Sequence, residues 1–129
     1  MQGPTLISIL RDFEKSTDIK GSFIASSPNG KILATTLFSE IKSDVSKKIF
    51  EVAHVFQQFS DFLKFGTLKQ YILDGPNGVV IIKKIMGNDN SEKSVYYVGF
   101  GDPDLHLPIV KIALINFSKK IRKILIEKI

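Results

Sequence analysis

The spacing of apolar residues divides the chain into eight elements, and the longest of these sets the terms for the others. Over residues 43–64, Val45, Ile49, Val52, Phe56, Phe59 and Leu63 recur at alternating spacings of four and three, which lays them along one stripe of a helix. With each residue turned roughly 100° from the last, Phe62, Val55, Phe59, Val52, Val45, Leu63, Phe56, Ile49 and Ala53 fill one continuous arc. That arc is about 180° wide, whereas a helix lying on a single core needs an apolar stripe of about 100°. Lys47, Glu51, His54, Gln58 and Asp61 occupy the remainder. This helix therefore needs two neighbours. The chain's own sheet is one; a second copy of the chain is the simplest candidate for the other, with a long loop or another helix as the alternative.

The flanking pattern supplies the sheet. A short helix opens at Pro4 and Thr5 and runs to about Ser16, with Leu6, Ile9, Leu10 and Phe13 on one face. Strands are predicted over 22–26 and 31–36, joined by the turn residues Ser27-Pro28-Asn29-Gly30. After a linker at 39–42, Ser43 or Asp44 caps the long helix and Gly66 ends it. A strand over 67–73 sets Leu68, Gln70 and Ile72 against Lys69 and Tyr71. The turn 74–78 returns it into 79–86, with Val79, Ile81 and Ile85 on one face and Val80, Ile82 and Met86 on the other. Both faces of this sheet therefore call for cover. A polar connector at 87–91 leads to a fifth strand over 94–100, and a last helix starts at Leu107 or Pro108 with Val110, Leu114, Phe117, Ile121 and Ile124 as its core stripe. Its other side mixes Ile112, Ile115 and Ile126 with Lys111, Lys119 and Arg122. Packing of those isoleucines on the first helix is the plain expectation; a basic amphipathic face for anionic lipid or an acidic partner is the sharper one. The fold class is α+β, in the order αββαβββα, with a five-stranded, mainly antiparallel sheet covered by helices on both faces.

Composition narrows the function without naming it. The 129 residues, 43% hydrophobic and 24% charged, fit one domain spanning 1–129. No run approaches the length of a membrane span, and the N-terminus lacks the pattern of a signal peptide. The absence of cysteine removes disulfide and thiolate chemistry, and the expected location is the cytoplasm. The net charge of +5 raises the question of nucleic acid, but the lysines are spread along the chain and the only arginines are Arg11 and Arg122. Arginine is the preferred side chain for bidentate base and phosphate contacts, so no nucleic-acid partner is expected.

Catalytic patterns are missing. Gly99-Phe100-Gly101 lacks the third glycine of a dinucleotide loop, and His54 and His106 stand far apart with no ligand cluster. Neither cofactor nor metal is expected. Asp102-Pro103-Asp104 offers two carboxylates, but between a strand and a helix such residues satisfy turn and cap donors. Asn116-Phe117-Ser118 matches a glycosylation sequon inside a predicted helix and is set aside.

Taken together, the order of elements resembles the Roadblock family of dynein light chains and of archaeal and bacterial GTPase regulators. The residues that carry the resemblance are Leu6-Ile7-Ser8-Ile9-Leu10, the hairpin 21–30, Gly78-Val79-Val80-Ile81-Ile82, and the passage from Phe100 through Asp102-Pro103-Asp104 to Leu107. Pro108 departs from the common form, where a small residue stands. Longin and profilin-like modules share much of the architecture. The resemblance implies a homodimer in which the long helices pack together and the edge strands at 67–73 join two sheets. The interface would draw on Val45, Ile49, Val52, Phe56, Phe59, Leu63, Leu68, Gln70 and Ile72. It also implies a scaffold or regulator of a small Ras-like GTPase, without an active site of its own, with Lys47, Glu51, His54 and Gln58 as a docking surface or a plain solvated face. A longin-like trafficking adaptor and a small-molecule sensor are the competing readings.

Overall fold

The computed structural model describes residues 5–26, 30–37, 43–87 and 94–127, with only the backbone at 43 and 44. The expected helix opening at Pro4, the turn residues 27–29, the linker 39–42, the capping side chains of Ser43 and Asp44, and most of the 87–91 connector lie outside these residues. The elements follow in the order α1 (Leu6–Thr17), β1 (Gly21–Ser26), β2 (Lys31–Thr35), α2 (Ser43–Phe62), β3 (Gln70–Gly75), β4 (Gly78–Met86), β5 (Val95–Gly101) and α3 (Leu107–Glu127). The strands form one sheet in the order β2-β1-β5-β4-β3, and every neighbouring pair is antiparallel.

Helix α1 begins with a reciprocal cap. The Ser8 amide donates to Thr5 Oγ1 at 3.1 Å and the Thr5 amide donates to Ser8 Oγ at 3.0 Å, which satisfies two donors that a helix start leaves unpaired. It ends at Asp18 in the left-handed region, whose amide donates to the Glu14 carbonyl. Glu14 also ties the helix to the sheet: Ser22 Oγ and Thr36 Oγ1 both donate to its Oε2 at 2.7 Å.

The sheet is buried on both sides, as the doubled apolar pattern of β4 requires. Leu10, Phe13, Val110, Leu114, Phe117 and Ile121 from α1 and α3 close over Ile24, Val79, Ile81, Ile85 and Tyr97 on one face. Phe13 stacks on Phe117 with ring centroids 4.2 Å apart, and both meet the Tyr97 ring edge-on. On the other face α2 covers Phe23, Ala25, Tyr71, Ile82, Tyr96 and Val98.

Three expectations need correction. Met86 packs on the α1/α3 side with Ile85 rather than with Val80 and Ile82, because the register shifts between Lys84 and Met86 and a bulge turns successive side chains to the same face. The third strand spans Gln70–Gly75 rather than 67–73: Asp74 and Gly75 pair with Val79 and Gly78, leaving only Pro76 and Asn77 for the turn. The alternation within the strand holds, with Tyr71 buried toward α2 and Ile72 packed toward α1 and α3, but Leu68, expected on the Ile72 face, packs on the α2 side just before the strand begins. Finally, Ile112, Ile115 and Ile126 do not pack on α1; all three are exposed. The two helices lie side by side on the sheet and line their shared crevice with Ile9, Phe13, Ala113, Asn116 and Phe117, a flank of α3 turned away from the isoleucines.

Gly30 is where α2 comes closest to the first hairpin. Its φ is +69°, and a Cβ there would run into Ser46 Oγ and sit 3.0 Å from the Lys47 amide nitrogen. Gly30→Ala is therefore expected to destabilise the fold by about 1–3 kcal/mol, read as a lowered midpoint in urea denaturation with an unchanged slope.

Candidate functional site

Helix α2 meets the sheet through its small side chains. Ser46, Ala53 and Ser60 are buried, with Ile49, Phe50, Val52 and Gln57 half-buried beside them. Ser46 Oγ donates to the Gly30 carbonyl, and the Tyr71 hydroxyl donates to the Ala53 carbonyl at 3.3 Å. Phe50 meets Tyr96 edge-on at 5.1 Å, and Phe56 stacks on Tyr71 at 5.4 Å. The centre of this contact lies about 120° around the helix from the middle of the bulky apolar residues.

Those bulky residues are consequently uncovered. Val45, Val55, Phe56, Phe59, Phe62 and Leu63 are exposed, with Phe59 at 62% and Phe62 at 82% of their full accessibility. Contiguous apolar surface of this kind on a folded chain marks an interaction site. It runs onto the sheet edge through an apolar groove of about 220 Å³ lined by Val45, Ile49, Val52, Leu73, Val80 and Phe100, among others. β3 is the last strand on that side, and Leu73 on it is exposed.

The end of α2 adds another aromatic ring to this surface. Lys64, with φ of +62°, takes the left-handed position that Gly66 was expected to fill. Its amide donates to the Asp61 carbonyl and the Phe65 amide to the Ser60 carbonyl, the bonding pattern of a Schellman cap. Gly66 follows at φ +85°, and its carbonyl accepts from Gln57 Nε2 at 3.1 Å and from Ser60 Oγ at 2.7 Å, while the Leu68 amide donates to Gln57 Oε1 at 2.8 Å. Phe65 is left 73% exposed.

Of the nine residues expected at an interface, Val45, Phe56, Phe59 and Leu63 are exposed, while Ile49, Val52, Leu68, Gln70 and Ile72 are half-buried. Leu68 and Ile49 pack on the α2 side and Ile72 on the opposite side. Lys47, Glu51, His54 and Gln58 are all exposed on the far side of the helix, and the nearby Lys48 pairs with Glu51 at 3.4 Å. Val55 and Phe62 were visible on the apolar arc without being singled out for an interface. Phe65 lies beyond the helix, where the helical period carries no signal, and Leu73, inside the strand expected over 67–73, follows Tyr71 onto the α2 face and lines the groove beside Val80 and Ile82.

Asp102 and Asp104 lie in an exposed turn closed by the backbone rather than by their carboxylates. The Leu105 amide donates to the Asp102 carbonyl at 3.0 Å, and Asp102 lies 3.9 Å from Lys20 at the surface.

Comparison with known proteins finds no matching family model and no matching curated sequence. Solved structures do match. Myxococcus xanthus MglB superimposes with a TM-score of 0.78 at 10% identity, over 100% of this chain and 97% of that one. A structure described as MglB with tetrameric arrangement gives 0.77 at 13% identity, over 99% and 100%. A Roadblock/LC7 domain from Streptomyces avermitilis gives 0.72 at 8% identity, over 95% and 99%. The chain has the Roadblock fold. In this Roadblock fold the helix between the two hairpins is α2, and the residues that cover the sheet are distinct from those it turns outward.

The bonds from Gln57 are expected to hold the loop that presents Phe65. Gln57→Ala would cost about 1 kcal/mol per lost bond and raise amide hydrogen exchange at Leu68 with little change at Val98 in the sheet centre.

Proposed function

We propose that this chain, acting as one unit over residues 1–129, is a non-enzymatic scaffold or regulator that binds a small Ras-like GTPase as a homodimer. The observation that carries the dimer is the uncovered apolar face of α2 running without a break onto the edge strand β3. An open edge beside an apolar face is a liability that pairing with an identical edge removes, and a two-fold axis would bring each surface onto its own copy.

The magnitudes support this. Fully burying an exposed Val, Leu or Phe side chain stabilises by about 1.5–3 kcal/mol. Val45, Val55, Phe56, Phe59, Phe62, Leu63 and Phe65 keep on average a little over half of their accessibility, so covering what remains represents about 6–12 kcal/mol on each copy. Association costs about 4–15 kcal/mol in lost freedom. Such an interface would be built from Val45, Ile49, Val52, Phe56, Phe59 and Leu63 of α2 with Leu68, Gln70 and Ile72 at the strand edge. Lys47, Glu51, His54 and Gln58 then remain on the outer surface, available to a partner.

The GTPase assignment rests on the Roadblock fold together with the residues that carry the family resemblance. Arginine-finger activation would need a mobile arginine. Arg11 sits within α1, and Arg122 within α3 donates its Nε–H to the Ile85 carbonyl at 3.2 Å. A binding platform is the reading that fits both.

Light scattering across protein concentrations tests the dimer. The wild type is expected at twice the chain mass. Phe59→Glu should weaken association by two orders of magnitude or more, roughly the 3 kcal/mol or above that an unpaired buried charge costs. Because Phe59 is exposed in the single chain, the variant should remain folded by circular dichroism. A monomeric wild type, or an unchanged mass for the variant, would remove α2 as the interface. Pull-down of a Ras-like GTPase loaded in turn with GDP and a GTP analogue tests the partner.

A further inference from the structure

Helix α3 carries a second apolar surface on the opposite side of the molecule from α2. Val110, Leu114, Phe117 and Ile121 hold one side of it against the sheet. The other side exposes Ile109, Ile112, Ile115 and Ile126, with Ile112 at 70% and Ile115 at 57%. Between Ile115 and Ile126 the same exposed side carries Lys119 and Lys123. Spacings of three and four put Ile112, Ile115, Lys119, Lys123 and Ile126 on one outward ridge.

The charge on this helix is one-sided. Lys111, Lys119, Lys120, Arg122 and Lys123 stand against Glu127 as the single acid within Leu107–Glu127. The described ion pairs, Lys20 with Asp102 and Lys48 with Glu51, lie elsewhere. Where α3 borders the sheet, Lys83 has its pKa lowered, first by burial and then by Lys69 and Arg122. The neighbours that Lys83 meets there, Lys69 and Arg122, are basic.

We propose that the outer face of α3 docks on an anionic membrane surface, lying flat with Ile112, Ile115 and Ile126 at the acyl boundary and Lys119 and Lys123 among the headgroups. Apolar and basic side chains mixed along one helix flank match the layered chemistry of a lipid interface. Lysines can lay their stems over apolar surface and still present the charge to phosphates. A ridge that stands out from the sheet suits a fluid surface that conforms to it. Because α2 and α3 cover opposite faces of the sheet, membrane contact through α3 leaves the α2 surface free, and either reading can fail without the other.

The test is cosedimentation of the full chain with vesicles of phosphatidylcholine alone and of phosphatidylcholine mixed with phosphatidylserine, at low and high salt. Binding is expected to the mixed vesicles at low salt, at least about tenfold stronger than to neutral ones, and to fall with salt. Lys119→Glu should weaken it by about tenfold or more, since each juxtamembrane charge contributes severalfold. Ile112→Ser and Ile115→Ser should each weaken it severalfold, with melting temperature and solution mass unchanged. No binding to the mixed vesicles, equal binding to neutral ones, or binding indifferent to Lys119→Glu would overturn the proposal. So would a lowered solution mass for Ile112→Ser, because a second copy would then be what covers this face.

Discussion

The close seating of α2 on the sheet is the contact on which the rest of the molecular surface depends. Ser46, Ala53 and Ser60 are small enough to bring the helix backbone against the strands, and two bonds lock that approach, from Ser46 to the Gly30 carbonyl and from Tyr71 to the Ala53 carbonyl. A helix seated on small residues must turn its large ones elsewhere. Phe59 and Phe62 consequently face outward and Phe56 stacks on Tyr71 from the exposed side, while Phe50, nearer the contact, is half-buried against Tyr96. A helix resting on its bulky stripe would stand farther from the sheet and would lose both bonds.

The opposite face solves a different packing problem. Two helices share it, and an aromatic cluster of Phe13, Phe117 and Tyr97 fills the space between them and the central strand. Gly99 belongs to the same arrangement, because a Cβ there would lie 2.7 Å from the Tyr97 hydroxyl oxygen. The Glu14 carboxylate, bonded to hydroxyls of Ser22 and Thr36, fixes α1 to the first hairpin with charge-assisted bonds. Among the described residues, the larger apolar excess on this side lies on the outer flank of α3.

These two packings divide the exterior. One face of the sheet presents an apolar helix next to an edge strand, suited to an identical surface; the other presents a ridge of isoleucines and lysines, suited to an interface between apolar and anionic layers. A Roadblock fold used in this way would act by holding partners in place. Nothing in such a role requires a reactive group.

The pattern of apolar positions determined the eight elements, their order and the two-sided sheet, because periods near 3.6 and 2 are imposed by backbone geometry within a few residues. It also determined that α2 carries more apolar surface than one sheet can cover, a matter of counting around the helix. Tertiary structure alone decided which residues of that arc face the sheet, since the answer rested on Ser46 and Ser60, polar side chains whose value is their size and whose partners are distant in sequence. It decided the facing of Met86, through a bulge that alternation does not reveal, and the end of α2, where Lys64 takes the left-handed position because the Ser60 and Asp61 carbonyls are there to be bonded. The exposure of the α3 isoleucines was settled the same way. Sequence gave that helix two apolar flanks, and only the positions of α1 and the sheet determined which flank would be left in solvent.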